Sequence, residues 1–213
     1  MKRFITLFAV FALTLTALAS CAKKTEPDYL VLVNKDHPIS EDYIKSVTLC
    51  DIYDVESGGT LQVEKKTYEA FEALSKELKE HGVEIGVNSA YRSVEEQQRI
   101  MDDFTEKYGK EYAEKTVAIP GTSEHHTGLS VDIVPKVNGE WVIENEDMMK
   151  EITIFEKVHA YLPEYGFILR YPEGKEDITG YEYAPWALRY VGVEAAKEIT
   201  EKGLTLEEYV ASK

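Results

Sequence analysis

Between Thr67 and Lys107 the apolar period changes twice, and that double change limits the chain to folds in which helices pack on a sheet. From Thr67 to Glu80, Tyr68, Phe71, Leu74 and Leu78 recur at helical spacing, and Gly82 stands where the helix should end. Val83, Ile85 and Val87 then alternate with Glu84, Gly86 and Asn88, the period of a strand buried on one side. Ser93 and Glu96 form a capping-box pair at the head of a second helix running to about Lys107. Arg92 is thereby placed at a strand-to-helix junction, where a side chain is well held.

Tyr29 to Val33, Val131 to Val134 and Tyr165 to Tyr171 read as further strands, and Met148 to Tyr161 as a helix. No repeat or low-complexity tract interrupts them, so the mixed order predicts one α+β domain.

The first 28 residues have a different character. Met1-Lys-Arg3 is basic, Phe4 to Ala19 is an apolar run too short for a comfortable membrane span, and Leu18-Ala-Ser-Cys21 has the pattern of a bacterial lipoprotein cleavage site. Residues 1–20 are expected to be a signal peptide. Cys21 becomes the lipidated first residue, and the polar stretch to Asp28 is a flexible linker to a domain at 29–213. The domain is then tethered to the outer face of the cytoplasmic membrane. Cys50 is the only other cysteine, so the fold must stand without an internal disulfide.

The formal charge is −15, and −17 once Lys2 and Arg3 leave with the signal. That acidity makes nucleic acid an unsuitable partner. Spread through runs such as Glu144-Asn-Glu-Asp147, it marks solvated faces.

One segment carries chemistry. In Ser123-Glu-His-His-Thr-Gly-Leu-Ser-Val-Asp132 an imidazole and a carboxylate stand seven positions apart around a glycine that lets the backbone turn. Hydrolytic zinc takes three protein ligands of such types, leaves a fourth position to water and needs a carboxylate base nearby. His125 and Asp132 are the metal candidates. His126 is adjacent to His125 and points elsewhere; His37, His81 and His159 read as structural or solvent-facing.

The pattern Ser-x-His-x-x-Gly-x-x-x-Asp, followed by Pro-Trp-x-x-Arg-Tyr-Val-Gly, resembles the VanY-like D-alanyl-D-alanine carboxypeptidases. Val31 to Pro38, Ser89 to Gln97, Pro120 to His125 and Tyr165 to Lys175 look like family landmarks in the family's order, so the resemblance spans roughly residues 29–202. It implies a small, mainly antiparallel sheet flanked by helices, and a zinc peptidase that trims the terminal D-Ala from peptidoglycan stem peptides. Arg92 corresponds to the arginine that holds the substrate carbonyl, and Gln97 and Ser123 to positions near the substrate pocket. The second family segment runs Glu-Pro-Trp-His. Laid on this chain, its general base falls on Ala184 and its third zinc ligand on Ala187.

Zinc should therefore be held weakly or not at all, and hydrolysis should be absent or severely impaired. Glu182 lies two positions from Ala184, displaced from where a base must reach. Three readings follow: a stem-peptide or cell-wall binding module on an inactive scaffold, a peptidase with an unforeseen base and ligand, or an enzyme carrying engineered substitutions at 184 and 187.

Overall fold

The computed structural model describes residues 26–213; the expected signal peptide, Cys21 and most of the linker lie outside the described residues. In chain order the elements are α1 (Glu41–Ser46), β1 (Leu49–Tyr53), β2 (Thr60–Glu64), α2 (Lys65–Glu80), β3 (Ile85–Ser89), α3 (Val94–Tyr108), α4 (Lys110–Thr116), β4 (Ser130–Val137) and β5 (Glu140–Trp141). They continue with α5 (Asn145–Met148), α6 (Ile152–Tyr161), β6 (Phe167–Leu169), α7 (Glu176–Thr179), β7 (Ala187–Tyr190), α8 (Val193–Lys202) and α9 (Leu206–Ala211).

The sheet that carries the site has the order β3-β4-β7-β6, antiparallel throughout, with β5 folded back on β4. β1 and β2 form a separate antiparallel hairpin. This is the expected α+β architecture with helices flanking an antiparallel sheet.

Burial accounts for the central elements. Phe71, Leu74 and Leu78 of α2 are withdrawn from water and pack with Ile85 and Val87 of β3, Val131 and Ile133 of β4 and Phe155 of α6. α2 begins two residues before the period suggests, because the Glu64 carboxylate accepts from the amides of Lys66 and Thr67 and caps it. The capping box of Ser93 and Glu96 is present at the head of α3. β3 is buried on both faces rather than one: a Cβ at Gly86 would stand 2.5 Å from Val55 and 3.1 Å from Trp141.

Three expected elements differ. Tyr29 to Val33 is not a strand; the carbonyls of Tyr29 and Val31 accept from the buried Arg189 guanidinium at 3.1 and 2.7 Å, and Leu30 and Leu32 pack against α8 and α9. The strand expected from Tyr165 to Tyr171 shortens to β6, because Gly166, at φ 79°, ends a 3-10 turn just before it. The helix expected from Met148 to Tyr161 is interrupted by a 3-10 segment, Met149–Glu151, so α6 starts only at Ile152.

Candidate active site

β4 puts Asp132 at the centre of the sheet, opposite Ser89 on one side and Ala187 on the other. Directly paired antiparallel residues have Cβ atoms about 5 Å apart. A side chain at 187 therefore starts within reach of the Asp132 carboxylate.

His125 arrives on a 3-10 turn, Glu124–Thr127, capped by the Ser123 hydroxyl, which accepts from the His125 amide at 3.3 Å. The turn ends at Gly128, with φ 71°. A Cβ there would meet Leu49 at 3.0 Å and the Glu64 amide nitrogen at 3.3 Å, so glycine is required both for conformation and for the close approach of β2. The His125 Nδ1 lies 2.6 Å from the Ala90 carbonyl, which fixes the proton there and turns Nε2 to Asp132 Oδ2 at 3.2 Å. Burial by itself would push the Asp132 carboxyl up; His125, Arg92 and the Ser89 hydroxyl outweigh it and hold the group below the usual carboxylate range.

Arg92 completes the polar end. Its Nη1 donates to Gln97 Oε1 at 3.0 Å, its Nη2 stands 3.8 Å from Asp132, and its Nε is buried without a partner. Gln97 is wholly buried and donates through Nε2 to the Ala118 carbonyl at 2.8 Å, so both ends of its amide serve to orient the guanidinium. Burial depresses the arginine's affinity for its proton, against the pull of Asp132.

Arg92, Gln97, Ser123, His125, Asp132, Ala184 and Ala187 all line one cleft of about 720 Å³. The sequence-selected residues are thus brought together. His126 is engaged elsewhere: Nδ1 bonds the Arg92 carbonyl at 2.7 Å and Nε2 accepts from the Gly121 amide at 3.0 Å. His37 bonds Asn34 and His81 bonds Glu77, while His159 reaches the Pro185 carbonyl at 2.8 Å and steadies the segment between the two alanines. Glu182 lines the cleft but is exposed.

Sequence reading missed Glu124. Buried between Ser123 and His125, its carboxylate bridges the guanidinium groups of Arg170 and Arg189, and Arg170 continues to Glu207 on α9. The available signal was an arginine within each of two otherwise apolar strand runs, which calls for a buried acid.

The metal question turns on donors. His125 Nε2 and Asp132 Oδ2 are spaced much as two ligands of one tetrahedral zinc, about 3.3 Å apart for bonds of about 2.0 Å. A third donor is missing: among the described residues no three His, Cys, Asp or Glu side chains gather into a metal-binding group. Positions 184 and 187 present methyl groups.

Residues 60–193 match the family model described as VanY, D-alanyl-D-alanine carboxypeptidase. The chain is 40% identical over 185 residues to the putative carboxypeptidase YodJ of Bacillus subtilis (strain 168), covering 84% of this chain and 66% of that protein. Among solved structures it resembles a glutamate-to-alanine mutant of the D,D-pentapeptidase VanY in complex with Zn(II), at 36% identity and TM-score 0.70 over 85% of this chain and 98% of that one. VanYB in complex with D-alanine-D-alanine is similar at 36% and 0.71, over 87% and 98%. The LD-carboxypeptidase LdcB is similar at 36% and 0.73, over 86% of each chain.

Proposed function

The chain belongs to the VanY family of D-alanyl-D-alanine carboxypeptidases, and from that premise we propose that it binds peptidoglycan stem peptides ending in D-Ala-D-Ala while hydrolysing them poorly or not at all. The observation that carries this reading is the contrast between the two halves of the cleft. At one end Arg92 is oriented by Gln97 and keeps a buried Nε without a partner, a fork of donors suited to a peptide carboxylate or carbonyl. At the other end His125 and Asp132 face two alanines.

Zinc belongs to the family, as the VanY complex with Zn(II) illustrates. The residues present here do not fit a closed zinc site: two donors stand where three are needed, and no carboxylate occupies position 184. Asp132 Oδ2 lies 3.2 Å from His125 Nε2 and 3.8 Å from Arg92 Nη2, so these three side chains form one polar cluster. Neither Ala184 nor Ala187 can take a proton from a bound water, so the peptide bond is expected to survive binding.

The cellular setting is part of the same proposal. Leu18-Ala-Ser-Cys21 supports lipidation at Cys21 and attachment to the outer face of the cytoplasmic membrane, in the bacterial envelope where stem peptides occur. No helix among the described residues is long and apolar enough to cross a membrane.

The test is calorimetric titration with a pentapeptide ending in D-Ala-D-Ala, with D-alanine release followed in parallel. Saturable binding that is lost in Arg92→Ala, with no release, is expected. Rapid release by the unaltered chain, or no heat at millimolar peptide, overturns the reading.

A further inference from the structure

His126 is buried behind the cleft and is not among the residues that line it, yet both of its ring nitrogens bond segments that do. Nδ1 lies 2.7 Å from the carbonyl oxygen of Arg92, and Nε2 accepts from the amide of Gly121 at 3.0 Å. A carbonyl can only accept and an amide N–H can only donate. The two partners therefore fix the ring as the tautomer that carries its proton on Nδ1.

Arg92 needs such a hold. It lies between Ser89, the last residue of β3, and Val94, the first of α3, so neither a strand ladder nor a helix orders its backbone. Its amide donates to the His125 carbonyl at 3.2 Å and its carbonyl accepts from the His126 ring, so both of its main-chain groups are taken by the 125–126 pair. On the far side of the ring, Gly121, at φ 90°, belongs to the turn that leads into Ser123, and its own carbonyl accepts from the Ile39 amide at 2.8 Å. One rigid ring thus ties the junction that aims Arg92 to the turn that delivers Ser123, and both residues line the cleft. Without the ring the Arg92 carbonyl loses its partner, and a small rotation of the backbone is multiplied along a long side chain. A binding group has to be held within about 0.5 Å and 10–20°.

We infer that His126 is a positioning residue: through the backbone of Arg92, and without touching the ligand, it sets the aim of the guanidinium on a bound peptide. The inference rests on the peptide-binding reading of the cleft and names what holds the principal contact of that reading in place. A histidine that served packing alone could be replaced by any side chain of similar bulk. One that serves this role can be replaced only by a group presenting a donor and an acceptor at the same reach. Glutamine does so through its amide, asparagine is one methylene shorter, and alanine has neither group.

The experiment compares the full chain with His126→Gln, His126→Asn, His126→Ala and, as a stability control, Leu78→Ala, which opens a cavity in the core on α2 at a position that does not line the cleft. Each is titrated calorimetrically with a pentapeptide ending in D-Ala-D-Ala and is unfolded in urea. Affinity should fall about tenfold in His126→Asn and His126→Ala, stay within about threefold in His126→Gln, and be unchanged in Leu78→Ala although that variant unfolds at lower urea. Long-range 1H–15N correlation spectra of the unaltered chain supply a reading that needs neither a variant nor a ligand: the His126 proton should be on Nδ1. A proton on Nε2, undiminished affinity in His126→Ala, or His126→Gln as weak as His126→Ala overturns the positioning role alone. An equal loss of affinity in Leu78→Ala overturns it as well, since the loss would then follow stability. No binding by the unaltered chain overturns the peptide-binding reading and this role with it.

Discussion

Arg170 Nε donates to Glu124 Oε1 at 2.9 Å, and solvent reaches neither side chain to any useful extent. Arg189 holds the other carboxylate oxygen of Glu124, and the Arg170 Nη2 meets Glu207 on α9 at 2.7 Å. One buried acid thus ties the turn carrying Ser123 and His125 to β6, β7 and the C-terminal helix. Through the carbonyls of Tyr29 and Val31 on Arg189, the N-terminal segment joins the same cluster.

Removing one partner from such a cluster leaves a charge buried without compensation. Arg170→Met should therefore lower stability by about 3–5 kcal/mol. Urea denaturation followed by circular dichroism measures it; a loss below about 1 kcal/mol would show that the cluster is far more hydrated than its burial indicates.

Acid should act on the outer member of the cluster. Burial alone raises the Glu207 carboxyl, but the bonds from Arg170 and Asn34 outweigh it, so its folded-state pKa lies below the ordinary value of about 4.3. A depressed carboxyl contributes stability that is complete above the unfolded pKa and disappears as pH falls through the folded one. Glu64 works in the opposite sense, since burial raises its carboxyl despite three bonds from Lys66 and Thr67. The informative quantity is accordingly the gap in urea midpoint between the unaltered chain and Glu207→Gln. It should be widest near neutrality and close as pH falls below about 4, whereas a gap independent of pH contradicts the assignment.

Lipidation at Cys21 makes a separate prediction. The protein expressed in bacteria should partition into the detergent phase on phase separation, and Cys21→Ala should move it to the aqueous phase, because the proposed attachment is through acyl chains on Cys21 and no helix among the described residues is long and apolar enough to cross a membrane. Both forms remaining aqueous would remove the anchor.

What could be read in advance followed from short-range physics. The period of α2, the capping box of α3 and the turn at Gly128 are settled by residues within a few positions of one another, and all three are present. Tyr29 to Val33 has a strand-like composition, yet its carbonyls go to an arginine 158 residues or more away in sequence, which no local pattern reveals. Glu124 was hidden for the same reason: its partners at 170 and 189 meet it only once the sheet has formed. Gln97 reads in sequence as a position near the substrate pocket and lines the cleft, while its bonds to the Ala118 carbonyl and to Arg92 depend on the fold around it.

The two alanines provide the sharpest test. Position 187 lies directly across from Asp132, and position 184 lines the same cleft, with its amide held by the Tyr171 carbonyl at 3.2 Å. His159 braces the Pro185 carbonyl between them, which fixes the backbone of this segment. As it stands, the chain should retain substoichiometric zinc after dialysis and release little or no D-alanine, because no closed ligand set is found among the described residues and position 184 carries no carboxylate. Ala187→His alone should raise zinc retention towards one equivalent with little activity; Ala184→Glu alone should change neither. The two together should give both, since a base without a held metal and a metal without a base each leave the water poorly activated. Zinc content by atomic absorption and D-alanine release from a stem peptide read the two effects independently. Stoichiometric zinc without turnover in the double variant would mean that the cleft has diverged beyond these positions, and strong turnover by the unaltered chain would direct attention to Glu182, the exposed acid on the same wall.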